Sequence, residues 1–245
     1  NAGAVINCTS QQMVNDSSYV ILSGLKFTAP SGTTSPFRMY DIKNCRVTRC
    51  SFDGSGFNGI AVLEASTQTH GSNNNRYDHT LFYGHTGVGI GGYFEYHDTG
   101  TIAISQYDRI DHNYFKDNGP FVGNGQSALR MGVGTLSLVP SYMVCEQNLF
   151  ENCDGDAEVI SVKSSCTTVR YNTYINCYGT GVSLRQGTNN AVYGNIVLSG
   201  SETGNAGIKI TGFYHSVHDN YIEGVTGDKG IGALVLQGGD IDSVD

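Results

Sequence analysis

Apolar and polar residues alternate along this chain in short bursts. RVTRCSF (46–52), YMVCEQNLF (142–150), TTVRYNTY (167–174) and HSVHDNYI (215–222) set apolar residues two or four positions apart. That is the pattern of a strand with one buried face. A second burst follows each time: GIAVLEA (59–65), SALRMG (127–132), EVISVKS (158–164), GVSLRQG (181–187), GIKITG (207–212) and GALVLQG (232–238). Glycines and small polar residues separate the bursts, and few runs have the length or the period of an ordinary helix.

The bursts repeat. A large apolar residue recurs at Phe27, Phe52, Phe82, Phe115, Phe150, Tyr174, Val197 and Ile222, at intervals of 25, 30, 33, 35, 24, 23 and 25 residues. From Asn113 onward the residue two before it is asparagine: Asn113, Asn148, Asn172, Asn195 and Asn220. A period near 24 with two or three short strands predicts one coil of a right-handed parallel β-helix, all-β and single-domain over residues 1–245, with possible truncation at either end. The asparagines then form a ladder at a turn, where their side chains bond one another and the backbone, and where asparagine tolerates left-handed φ/ψ. Cys153 and Cys177, 24 apart, fall on adjacent coils as a disulfide or as stacked thiols, the latter favoured because free cysteine packs as a small hydrophobe. The longer intervals around 64–100 and 115–142 mark loops leaving the coil, where function usually sits.

Composition narrows the partners. A formal charge of −8 disfavours nucleic acid and anionic membranes, which both require a basic face. No stretch has the apolar length of a membrane span. NAGAVINCTS lacks the basic and apolar regions of a signal peptide, so the chain reads as a mature form, a trimmed form or a fragment. Sequons at Asn7 and Asn15 fit a secreted, extracellular or periplasmic protein. The seven cysteines have neither CxxC nor zinc spacing.

One stretch concentrates chemistry. GDAEVISVKS (155–164) sets Asp156 and Glu158 ahead of Lys163, and Arg185 in VSLRQG lies 22 residues further, close to one coil. The preceding coil contributes Asn124, Gln126 and Arg130 from NGQSALRMG. Stacking places Lys163 beside Arg185, with Asn124, Asp156 and Glu158 as oxygen ligands of a kind that suits calcium rather than zinc. The bland alternative makes Lys163 and Arg185 surface cations paired with Asp156 and Glu158, and Asn124 a turn residue. His79, His85, His112, His215 and His218 read as turn or packing residues.

The series NGQSALRMG, NLFENCDGDAEVISVKS, NTYINCYGTGVSLRQG and GIKITGFYHSVHDNYIEG resembles polysaccharide lyase family 6, the alginate lyases and chondroitinase B, in order from about residue 19 to 236. The lysine and arginine strands carry the specificity of the match. The resemblance implies calcium held by Asn124, Asp156 and Glu158, a catalytic base at Lys163, and Arg185 at the leaving oxygen. Arg130 and Lys209 are then clamps for the carboxylates of an anionic polysaccharide, alginate ahead of a sulfated polymer. Asp156 stands where the family has glutamate, Gln186 where it usually has histidine, and Ala206 and Lys209 replace the first glycine and the arginine of its GGIRI run. Two rivals remain: a non-catalytic carbohydrate-binding or structural β-helix, and a mannuronan C5-epimerase, whose DPHD run is missing. A glycosidase of the polygalacturonase kind requires several aspartates on the second strands, which are poor in them.

Overall fold

The computed structural model describes residues 3–10, 12–29, 33–34, 37–54, 57–58, 62–65, 71–87, 90–92, 105–121, 123, 125–227 and 232–238. These residues build a parallel β-helix. One nine-stranded parallel sheet runs from Val5–Asn7 to Tyr221–Glu223, a second from Gln12–Asn15 to Leu234–Gln237, and a third, eight-stranded, from Ile21–Ser23 to Ser216–His218. The chain visits third, first and second sheet in turn, and each strand pairs with its equivalents one coil away.

The apolar column is the spine of the first sheet. Phe27, Phe52, Phe82, Phe115, Phe150, Tyr174, Val197 and Ile222 are register partners in succession. The rings from Phe27 to Tyr174 stack inside the coil with centroids 4.6 to 5.1 Å apart. That is the separation of hydrogen-bonded strands, so backbone pairing and ring stacking demand the same repeat.

The asparagine column forms the expected ladder. Asn113 donates Nδ2–H to Oδ1 of Asn148 at 3.0 Å, Asn148 to Asn172 at 2.9 Å, Asn172 to Asn195 at 3.1 Å and Asn195 to Asn220 at 2.9 Å. Each Oδ1 also accepts the backbone N–H of the asparagine one coil earlier. The left-handed backbone falls elsewhere than expected: it belongs to the preceding residue, at His112, Gln147, Tyr171, Gly194 and Asp219. That residue turns the chain between the third and first sheets. The asparagine behind it, buried from Asn113 to Asn195 and partly buried at Asn220, fills the inside of the corner with hydrogen bonds. Cys153 and Cys177 are stacked thiols: all seven cysteines are free, and the Cys153 N–H meets the Cys177 sulfur at 3.4 Å.

The outer face of the third sheet carries a staircase of ion pairs in which Arg46, Arg76 and Arg109 reach one coil onward and Arg170 one coil back. Arg46 holds both oxygens of Asp78 at 2.8 and 2.6 Å, and Arg76 holds Asp111 at the same two distances. Arg109 and Arg170 share Glu146. At the neighbouring corner His79 and His112 donate Nδ1–H to Asp78 and Asp111, both at 2.7 Å.

Asn148→Ala strands the Asn113 N–H groups and the Ile110 carbonyl inside the corner. Each buried orphan costs about 1–3 kcal/mol, so the variant should lose roughly 2–5 kcal/mol. Urea unfolding followed by circular dichroism measures this as a lower midpoint.

Candidate functional site

The site lies on the outer face of the second sheet, on neighbouring strands Leu129–Gly132, Glu158–Lys163, Gly179–Gln186 and Asn205–Thr211. Register aligns Arg130 with Ser161, Ser161 with Ser183 and Ser183 with Lys209. The two cations therefore bracket a row with two serines between them, about 14 Å long at the usual strand spacing.

Two irregularities shape this face. Val159 and Ile160 are both buried in the core, although they are neighbours in one strand. The next coil repeats this: a Cβ on Gly181 would touch Val197 and Tyr174 at 3.4 and 3.5 Å, and Val182 is core as well. Simple alternation would turn Glu158 inward with Ile160 and Val162. Two consecutive inward residues restore it to the outer face, beside Ser161 and Lys163. The second irregularity is a register shift between Val162 and Lys163. It sets Lys163 opposite Gln186 instead of opposite Arg185, so the strict spacing of 22 residues does not hold there. Arg185 occupies the shift, an extra residue between Leu184 and Gln186.

The acids are held differently from one another. Oδ2 of Asp156 accepts the backbone N–H groups of Gly125 and Gln126 at 2.6 and 2.9 Å and the Ser127 hydroxyl at 3.3 Å. It ties the segment ahead of the Arg130 strand to the next coil. Oε1 of Glu158 accepts the Ser183 hydroxyl at 2.9 Å and an Arg185 N–H at 3.0 Å. Both acids are buried, whereas the Arg185 side chain is 43% exposed, so Glu158 anchors a guanidinium that faces solvent. The surface-pair alternative therefore holds for Arg185 alone. Lys163 makes no ion pair among the described residues. Burial pushes its ammonium below the usual lysine range, and the Arg130 and Arg185 guanidiniums push the same way, against the pull of Glu158 and Asp156.

Asn124 lies outside the described residues. Among the described residues no group of three or more His, Cys, Asp or Glu side chains is arranged to hold a metal ion. The two acids still suit a hard cation in chemistry. Oδ1 of Asp156 and Oε2 of Glu158 take no hydrogen bond from the described residues, and calcium accepts carboxylates together with water and amide oxygens. Sequence reasoning missed Ser183, which fixes Glu158, and Ser161, whose buried hydroxyl has no partner in the row between Arg130 and Ser183. Their signal was present in the sequence, since each stands two residues before its cation in VISVKS and GVSLRQG. Gln186 packs on the 3-10 turn at Gly134–Leu136, where a Cβ on Gly134 would meet its Oε1 at 2.7 Å.

The described residues thus form a parallel β-helix whose second sheet gathers an amine, a guanidinium and two carboxylates on its outer face. The chain belongs to the chondroitinase B family, polysaccharide lyase family 6: the family model for chondroitinase B matches residues 1–241. Among solved structures it is similar to the family 6 alginate lyase AlyGC, with 27% identity and a TM-score of 0.78, over 95% of this chain and 32% of that one. It shares the fold of a mannuronic acid specific family 6 lyase from human gut microbiota at 22% identity and TM-score 0.65, covering 95% of this chain and 62% of that one. It also shares the fold of the alginate lyase AlyF-OU02, solved in complex with G6, at 20% identity and TM-score 0.65, covering 94% and 55%. The chain thus spans 32% to 62% of the lengths of these three relatives. No curated protein sequence matches it.

Asp156→Ala removes the acceptor that holds Gly125 and Gln126. Hydrogen bonds to a charged group are worth about 1.5–3 kcal/mol, so exchange of these two amides should speed up roughly 10- to 100-fold. Hydrogen–deuterium exchange resolves the change against unaltered amides in Thr168–Arg170.

Proposed function

We propose that the chain is the catalytic solenoid of a polysaccharide lyase that cleaves an anionic uronate polymer, alginate first, by β-elimination. One observation carries the reading: a half-buried lysine amine, made less basic by its surroundings, sits one coil from an anchored guanidinium on the outer face of the second sheet. The named alginate lyases among the similar structures support the substrate class.

The chemistry follows from these side chains. A uronate is cut without water when a base takes the C5 proton and the C4–O4 bond breaks. Lys163 is that base, because a depressed pKa leaves more neutral amine at working pH. Arg185 faces the leaving oxygen. Its pKa is too high for easy proton donation, so it stabilises the developing oxyanion, held in place by Glu158 and, through Glu158, by Ser183. Arg130 and Lys209, at the two ends of the serine row, suit carboxylates of neighbouring sugars. Asp156 and Glu158, with Asn124, would hold Ca2+, which when bound neutralises the substrate carboxylate beside the C5 proton. A polymer substrate of this kind does not cross membranes, so the protein acts outside the cytoplasm; the exposed sequon asparagines Asn7 and Asn15 fit that location.

The test is incubation with alginate, following the ultraviolet absorbance of the unsaturated product end with and without chelator. A rise in absorbance that chelator suppresses is expected. Altered sugar composition without absorbance would make the protein an epimerase, and binding with neither change a non-catalytic module. Lys163→Ala should lower kcat about 10²–10⁴-fold.

The pH profile of kcat/KM tests the base independently. A lysine base works when neutral, so the rate climbs as pH rises through the Lys163 pKa. That limb should sit below the ordinary lysine value of about 10.4. Arg185→Ala removes one of the positive charges that depress it, so the residual activity should climb at higher pH than in the parent.

A further inference from the structure

The inner column at the turn between the second and third sheets contains Cys45, Asn75, Asp108, Met143, Thr167 and Asn190, each one residue ahead of a third-sheet strand. Its asparagines perform two tasks. Oδ1 of Asn75 accepts the Cys45 N–H at 2.9 Å, while its Nδ2–H groups reach the Ile42 carbonyl at 3.0 Å and Glu64 at 3.3 Å. Oδ1 of Asn190 accepts the Thr167 N–H at 2.8 Å, while its Nδ2–H donates to the Ser164 carbonyl at 3.0 Å. Each side chain thus accepts from the coil before it and donates to a second group.

Asp108 fills only half of that role. Its Oδ1 receives the Asn75 N–H at 2.7 Å, but an ionised carboxylate has nothing to donate, and Oδ2 is buried without a hydrogen bond from any described donor. Within hydrogen-bonding reach of it stands a second acid, Glu64. Glu64 belongs to the second-sheet strand Val62–Ala65, where its register partner is the core residue Met39, so its side chain points into the solenoid. It accepts the Tyr77 hydroxyl and the Asn75 amide. Asp108 is 1% exposed and Glu64 2%. The other titratable groups around them are Tyr77 and Cys45, a phenol and a thiol that bring no positive charge, and no described lysine, arginine or histidine pairs with either acid. Two carboxylates this deep and this close cannot both ionise. Burial, then the Glu64 charge and a hydrogen bond with Glu64, hold the Asp108 carboxyl well above the usual carboxylate range. The strand that carries Arg130 comes two places later in the second sheet, so the pair is separate from the lysine–arginine site.

We propose that Asp108 and Glu64 hold one proton between them inside the folded solenoid at neutral pH, and that this proton makes the fold more stable as the medium acidifies. With Oδ2 protonated, Asp108 reproduces the asparagine of its column, accepting through one oxygen and donating through the other. Unfolding exposes both carboxyls to water, where each ionises near pH 4, and the proton leaves. The stabilisation is therefore complete below about pH 4 and fades as pH rises through the folded-state titration, the folding equilibrium constant falling about tenfold per pH unit in that window. Arginine-held Asp78 and Asp111 act in the opposite sense at lower pH, and the buried imidazoles of His85 and His215 do so up to about pH 6.5.

Urea unfolding of the parent and of Asp108→Asn at pH 7, 7.5 and 8, above the histidine range, tests this. Asparagine supplies the missing donor at every pH. The variant should be more stable than the parent, by a margin that grows about tenfold in equilibrium constant per pH unit. Infrared spectroscopy of the folded parent at pH 7 should show a carboxylic-acid carbonyl band that unfolding abolishes, a readout that needs no variant. Glu64→Gln removes the like charge, so that band should titrate away at lower pH than in the parent. The same pH dependence in parent and Asp108→Asn, no acid band in the folded parent at pH 7, or an unchanged titration of the band in Glu64→Gln would overturn the proposal.

Discussion

Parallel hydrogen bonding between successive coils holds neighbouring strands near 4.8 Å, and almost every other feature of the molecule is a consequence of that spacing. Aromatic rings stack comfortably at this distance, as the column from Phe27 to Tyr174 does. Primary amides bridge it with one hydrogen bond, as the column from Asn113 to Asn220 does. Arginine reaches across it to a carboxylate on the next coil, as Arg46 and Arg76 do. A side chain repeated at one position therefore meets its own kind or its complement, and each coil is stabilised chiefly by the ones above and below it.

The same spacing shapes the outer face of the second sheet and limits it. Groups of like charge on consecutive coils would repel one another, and this row sets two small hydroxyls between its cations: Arg130, Ser161, Ser183 and Lys209. Lys163 departs from that economy. It is half-buried near Arg130 and Arg185 without an ion pair of its own among the described residues, and the strain registers as a weakened hold on its proton. Arg185 is accommodated by the opposite device, a buried carboxylate at 3.0 Å that a serine keeps in position. One cation is left labile and the other is fixed. The β-elimination proposed above needs that division between a proton acceptor and a stabiliser of negative charge.

Asp156 links this chemistry to the scaffold. Its carboxylate gathers two backbone N–H groups from the segment before Arg130, so the position of that segment depends on a buried residue whose second oxygen takes no hydrogen bond from the described residues. An aspartate, one methylene shorter than glutamate, keeps its carboxylate close to the strand and within reach of those amides. The substitution relative to the family pattern thus has a structural correlate in this chain.

The coil period, the aromatic column and the asparagine ladder were legible in the sequence because each is a one-dimensional repeat: residues 23 to 35 apart become neighbours once the chain coils. The juxtaposition of Lys163 and Arg185 was legible for the same reason. What the period could not supply was any departure from it. Two consecutive core residues at Val159–Ile160 turn Glu158 outward, and the register shift at Lys163 moves Arg185 by one place. The left-handed residue stands before each ladder asparagine rather than at it. The partners of Asp156, Glu158 and the paired histidines were likewise settled only in three dimensions. Alternation and spacing describe an ideal coil; bulges, corners and hydrogen-bond partners depend on how neighbouring coils pack, and that information is shared among residues far apart in the chain.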